Sequence, residues 1–396
     1  MRIHQVENGE STKDILNTYN IKEDALRKIN ALYKGDPCVG EELLIQTPTR
    51  TYTSVYGDTV DRIGLRFGVR KRDIMAMNPW INSSSLNIGE HLTLKTSDVK
   101  QGMALANGYY FKGCTKEKLT QAIPFLTYIT FGSVKADAKG LRRIFDCSEE
   151  VMICIKKGKI PLMRVYDEHT ERYRLGKNLP QFAEALISAA IEGGYKGIVI
   201  DACPLLHSAK EFISFLMILR KMMIGCDLIL ITEINESSPL DFSEYADGSV
   251  FYYPRYAMNN NFDFKKGECA ALGRLATEGE SAKMFIDLPS LARTDRGYIT
   301  VDDAIDLARR QRCRIDTNKS TLLSHFTAGK QGECRYTSLS GINALLDLVN
   351  EFDYMGVSFD ILRTPISYLM MLDSKFKTAS SVTVRIREGC SRADGE

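Results

Sequence analysis

From residue 104 onward, apolar runs of five to seven residues alternate with longer stretches whose apolar positions recur at three-and-four spacing. Runs at 104–110, 126–132, 160–165, 197–201, 227–233, 248–253, 283–288 and 355–361 have the length and β-branched content of strands covered on both faces. The stretches 179–192, 209–223, 301–311 and 338–352 predict amphipathic helices packed against those strands. Eight such runs with helices between them predict an α/β chain closed into a (β/α)₈ barrel, whose chemistry belongs at the C-terminal strand ends. One stretch fits that expectation closely. Gly193-Gly194 ends a helical run, Gly197-Ile198-Val199-Ile200 reads as a buried strand, and Asp201 stands where it stops.

The first 95 residues follow a different pattern, an internal repeat. Gly9-Glu10-Ser11 aligns with Gly57-Asp58-Thr59, Tyr19-Asn20-Ile21 with Phe67-Gly68-Val69, Ile29-Asn30 with Met77-Asn78, and Val39-Gly40-Glu41 with Ile88-Gly89-Glu90. Each unit predicts a strand, two short helices and a closing strand. Acidic and hydroxyl residues stand at the first helix start, where unpaired amides need acceptors. The expected organisation is repeat 1 over 1–48, repeat 2 over 49–96, a joint over 97–106, the barrel over 107–380 and a tail over 381–396.

Composition narrows the function classes. With 44% hydrophobic and 26% charged residues the chain reads as globular rather than disordered. Its 52 basic and 50 acidic residues nearly cancel and form no basic, aromatic-interleaved block, so no nucleic-acid partner is expected. Ten cysteines without a Cys-x-x-Cys pair predict no metal site, no redox motif and no cofactor, and suit free thiols made in a reducing compartment. Met1-Arg2-Ile3-His4-Gln5 leads straight into the repeat, which predicts no signal peptide, and no apolar run reaches the ~18 residues of a membrane span.

The repeats resemble LysM domains through the Gly-Asp-Thr turn at Gly57-Asp58-Thr59, the helix end Arg66-Phe67-Gly68-Val69 and the closing Ile88-Gly89-Glu90. That resemblance implies binding of N-acetylglucosamine polymers in shallow grooves. Here the groove loops would be 9–12 with 30–33, and 57–60 with 78–81. Gly9, Glu10, Ser11, Asn30, Gly57, Asp58, Thr59 and Asn78 are the candidate contacts; the alternative is that these polar residues only cap helices.

The barrel resembles family-18 glycoside hydrolases, specifically the LysM-bearing branch of spore cortex-lytic N-acetylglucosaminidases. The segments Gly194-Tyr195-Lys196-Gly197-Ile198-Val199-Ile200-Asp201-Ala202-Cys203, Asn107-Gly108-Tyr109-Tyr110 and Gly356-Val357-Ser358-Phe359-Asp360 carry the likeness. In that family the fourth strand ends Asp-Phe-Glu, the Glu protonating the leaving oxygen and the Asp orienting the 2-acetamido group that attacks the anomeric carbon, a substrate-assisted route. Residues two apart on a strand face the same way, so both carboxyls reach one sugar.

Asp201 fills the orienting position by this resemblance, but Cys203 replaces the acid and Asp360 replaces the tryptophan on which the sugar stacks. A thiol near pKa ~8.5 on a short side chain is a poor substitute for a tuned carboxyl. Tyr109, Tyr253 and Glu233 are the remaining groove candidates, with Glu233 the stand-in acid if the barrel is active. The expectation is a binder of peptidoglycan, spore cortex or chitin-like glycan, bearing an inactive hydrolase-like barrel, with other spore-coat proteins as further partners. Its expected place is the bacterial spore envelope, reached from the mother-cell cytoplasm; the alternatives are the cell wall and an active N-acetylglucosaminidase.

Overall fold

Eight parallel strands close on themselves: β1 (Gly102–Tyr110), β2 (Tyr128–Asp137), β3 (Ile160–Tyr166), β4 (Gly197–Asp201), β5 (Ile229–Ile234), β6 (Gly248–Phe251), β7 (Met284–Asp287) and β8 (Gly356–Asp360). Each pairs with the next in chain order, and β8 returns to β1 through Gly356↔Leu105 to Asp360↔Tyr109. The computed structural model describes residues 1–33, 35–81, 86–137, 140–166, 179–201, 209–234, 245–251 and 281–378.

Alternation along these strands decides what faces the barrel axis. Tyr109, Tyr128, Leu162, Val199, Ile231, Val250 and Phe285, one from each of seven strands, form a single buried cluster. The intervening positions, among them Ile198, Ile200, Leu230 and Ile286, belong to the larger core that the surrounding helices cover with Leu186, Phe215, Leu219 and Leu345. Two residues beyond the axial cluster, in the same phase, come Arg164, Asp201, Glu233 and Asp287. The rule that packs the axis therefore also gathers charged side chains at its C-terminal end.

Between β7 and β8 the chain builds a five-stranded antiparallel sheet in the order Gly297–Thr300, Leu291–Thr294, Gly332–Thr337, Leu323–Ala328, Asp316–Thr317. Asp316–Thr317 and Gly332–Thr337 do not pair directly: Leu323–Ala328 lies between them and pairs with both. The helix Val301–Gln311 packs on this sheet. Thr300 caps it by accepting from the Asp303 amide at 3.0 Å, and Arg309 and Arg310 occupy its last turn, where a cation suits the helix dipole.

Both repeats form the expected strand–helix–helix–strand unit. Arg2–Gln5 pairs antiparallel with Glu42–Ile45, and Pro48–Thr53 with His91–Thr96. Each has its own small core, Ile15, Leu26 and Leu43 in the first and Ile63, Ile74 and Leu92 in the second. The joint is shorter than 97–106, because Phe376–Thr378 pairs alongside Gly102–Ala104 and makes those residues strand.

Candidate functional site

The C-terminal end of the barrel brings Tyr109, Asp201 and Glu233 together around Arg164, a residue the sequence reading did not single out. Strand register places Asp201 directly beside Glu233. The Arg164 guanidinium reaches across both: Nε donates to Glu233 Oε1 at 2.7 Å and Oε2 at 3.0 Å, and Nη2 donates to Glu233 Oε2 at 2.6 Å and Asp201 Oδ2 at 3.2 Å. The side chains of Arg164, Asp201 and Glu233 are 7%, 18% and 0% exposed, so the ion pair is an interior one. The Phe111 ring lies 5.8 Å from the guanidinium carbon and stacks on Tyr109 at 5.5 Å. Burial pushes the Glu233 carboxyl above its ordinary range, Arg164 opposes that, and the neighbouring Asp201 charge adds to the upward push.

A glycosidic general acid must bring its proton within hydrogen-bond reach of a substrate oxygen. Glu233 is sealed from solvent, and both of its carboxylate oxygens accept from Arg164. Asp201 keeps some exposure, and its Oδ2 also faces Arg164. Asp360 is likewise committed: Oδ1 accepts from the Leu362 and Arg363 amides at 2.9 and 3.2 Å, Arg363 Nη1 lies 3.4 Å from Oδ2, and burial raises its carboxyl. It closes the turn after β8 rather than lining a sugar floor. Cys203 and Tyr253 lie outside the described residues. No group of three or more potential metal ligands occurs among the described residues, and none of their helices is long and apolar enough to cross a membrane.

In the repeats, two candidate contacts are corrected. Asn78 is fully buried, its amide donating to the Ile74 and Thr93 carbonyls at 2.7 Å each while its carbonyl accepts from the Thr93 amide at 2.8 Å. Asn30 does the same work between Leu26 and Leu44, at 3.0, 3.0 and 2.7 Å. Both asparagines tie the second helix to the closing strand. The turn residues remain at the surface. Ser11 forms a capping box with Asp14, and Thr59 caps its helix by accepting from the Arg62 amide. Gly9 and Gly57 hold φ of 82° and 81°, the left-handed region that favours glycine. Glu10 and Asp58 play one role, each accepting a backbone amide three residues earlier, Glu7 at 2.9 Å and Val55 at 2.8 Å. Asp58 also accepts from the Tyr52 hydroxyl at 2.8 Å, and the Val55 and Tyr52 bonds hold its carboxyl below the usual range.

Comparison with known proteins agrees with this architecture. Residues 52–95 match the LysM domain family, so the second repeat is a LysM domain. The spore cortex-lytic enzyme SleL of Bacillus megaterium QM B1551 is similar over 96% of this chain and 99% of its own, with a TM-score of 0.72 at 18% identity. SleL of Bacillus cereus gives 0.73 at 17% identity over the same shares. A chitinase of Chromobacterium violaceum covers 68% of this chain and 98% of its own, with a TM-score of 0.61 at 13% identity. No curated protein sequence matches the chain. The fold is thus that of the spore cortex-lytic enzyme SleL, and over the barrel that of a chitinase.

Proposed function

We propose that this protein binds N-acetylglucosamine-containing polymers, peptidoglycan, spore cortex or chitin-like glycan, in the envelope of a bacterial spore, and that its barrel does not hydrolyse them. The LysM match supports the ligand class. Likeness along nearly the whole chain to enzymes described as cortex-lytic supports the spore setting, and other coat proteins are natural neighbours there. Assembly from the mother-cell cytoplasm onto the forespore suits the chain's thiols, which among the described residues are all free.

One observation carries the inactive reading. Arg164 ties Glu233 and Asp201 together in the barrel interior, so the stand-in acid Glu233 is an ion-pair partner instead of a proton donor. Cys203 in place of the family's Glu agrees with it. An active route through Glu233 would require Arg164 to withdraw and a fully buried carboxyl to meet substrate. The test is co-sedimentation of the full chain with insoluble peptidoglycan and with chitin, alongside fractionation of sporulating and vegetative cells. Retention on a polymer and recovery with spores support the reading; failure to sediment with either, or recovery only from vegetative culture medium, counts against it.

A further inference from the structure

The two repeats share a backbone plan but not a setting. Their closing turns, Val39-Gly40-Glu41 and Ile88-Gly89-Glu90, have the same glycine conformation, with φ of 83° in each. A side chain added at Gly40 would lie 1.8 Å from the Ile315 carbonyl oxygen, whereas one added at Gly89 meets nothing within 4 Å. The first turn is pressed against the sheet inserted before β8, and the second is open.

Much of the first repeat's second loop, closing turn and last strand is taken up within the chain, while Tyr33 in the second loop stays 72% exposed. Arg309 donates to the Asn30 and Ala31 carbonyls at 2.9 Å each and to the two Glu41 oxygens at 2.6 and 3.2 Å, with both side chains almost wholly buried. The Ile315 amide donates to the Val39 carbonyl at 2.9 Å, and Glu42 accepts from the Ser340 amide and hydroxyl at 2.7 and 2.9 Å. Ile29, Cys38 and Leu44 belong to the barrel's own core. The start of the loop 30–33, one wall of the expected sugar groove, is therefore part of an internal interface.

The second repeat docks differently, through its second helix. Arg72 donates to the Pro124 carbonyl at 2.9 Å and to Thr378 Oγ1, and Ala76 enters the barrel core. Its first turn and closing turn stay clear, and they are apolar: Val55, Tyr56 and Ile88 are 55%, 90% and 70% exposed. The repeat alignment puts Glu7 and Asn8 opposite Val55 and Tyr56. The first repeat's exposed aromatic, Tyr33, stands on the loop whose carbonyls Arg309 occupies, whereas the second repeat presents Tyr56 with Val55 and Ile88 as one open face of the kind that packs against the apolar side of a sugar ring.

We infer that the first repeat is an internal clamp joining the N-terminal region to the inserted sheet, and that the second repeat alone is the glycan site, with Tyr56, Val55 and Ile88 meeting N-acetylhexosamine rings. This rests on the proposed glycan binding and narrows it to one unit, so binding gains nothing from two sites on one polymer.

Two arms on the full chain test it. In the first, retention on insoluble peptidoglycan is compared for Tyr56→Ser and Tyr33→Ser; Tyr56→Ser weakens it about tenfold and Tyr33→Ser leaves it within about twofold. Equal losses, or a loss from Tyr33→Ser alone, overturn the assignment, as does full retention by Tyr56→Ser. In the second, amide hydrogen exchange is followed in Glu41→Gln and in the milder Ser340→Ala; exchange over residues 29–45 rises about tenfold or more while residues 60–77 hold. Unchanged exchange over 29–45 in both variants overturns the clamp. If the unaltered chain is not retained on peptidoglycan or chitin, the glycan reading fails and with it the site, while the exchange arm still decides the clamp.

Discussion

Replacing Arg164 by methionine keeps much of the side-chain volume but removes the guanidinium that bridges Glu233 and Asp201. Glu233 has no exposed surface, so its charge would then sit unpaired in the barrel interior. Breaking one partner of a buried ion pair typically costs about 3–5 kcal/mol. The carboxyl limits that loss by taking up a proton. From an ordinary value of 4.5, holding it neutral at pH 7 costs about 3 kcal/mol, whereas at pH 5 the same step costs under about 1 kcal/mol. The sign follows from linkage: a carboxyl whose folded value is raised holds its proton in the native state at pH values where the unfolded chain has released it. The penalty is therefore full above the folded value and lifts as pH falls toward 4.5. Urea unfolding of wild type and Arg164→Met at pH 7 and pH 5 measures both quantities, and Arg164→Met with Glu233→Gln should recover most of the loss. A loss below about 1 kcal/mol at pH 7, or one that does not shrink at pH 5, would refute the claim that this interior ion pair governs the barrel mouth.

Lys159 is buried with its ammonium donating to the Leu126 carbonyl at 2.6 Å, and burial lowers it to about 8. Its folded form releases the proton before the unfolded chain does, so its cost is fully present at pH 7 and lifts between about 8 and 10.5, by at most ~3 kcal/mol. Lys159→Met should remove that rise from a stability–pH profile; identical slopes in the two proteins over that window would contradict it. Asn78→Ala strands the Thr93 amide and two carbonyls in the second repeat and should cost about 2–4 kcal/mol by exchange or melting of that unit, whereas a loss under about 0.5 kcal/mol would show the amide to be dispensable.

The barrel is legible in the sequence because all eight strands are short runs covered on both faces, and closure follows from their alternation with helices. The site is less legible for a reason visible in β3. Arg164 ends an apolar run, Ile160-Pro161-Leu162-Met163, and looks there like a strand-end charge of the ordinary solvated kind. Its phase is the available signal: it lies two residues past Leu162, as Asp201 lies two past Val199 and Glu233 two past Ile231. Only the adjacency of β3, β4 and β5 turns three separate charges into one network. Asn30 and Asn78 mislead differently, since an asparagine after a short helix serves a sugar or the neighbouring strand with the same atoms. The docking of the first repeat was out of reach, because the alignment of Gly40 with Gly89 says nothing about Ile315, 275 positions away.

The central claim is that the chain holds glycan without cutting it, and the most direct measurement is release of reducing ends during prolonged incubation with peptidoglycan, cortex fragments and chitooligosaccharides, with retention followed in the same tubes. A barrel without a positioned acid forfeits ~10²–10⁴ in rate, so the account predicts polymer retention with no release above the blank. Sustained release of N-acetylglucosamine-terminated fragments, abolished by Glu233→Gln, would contradict it.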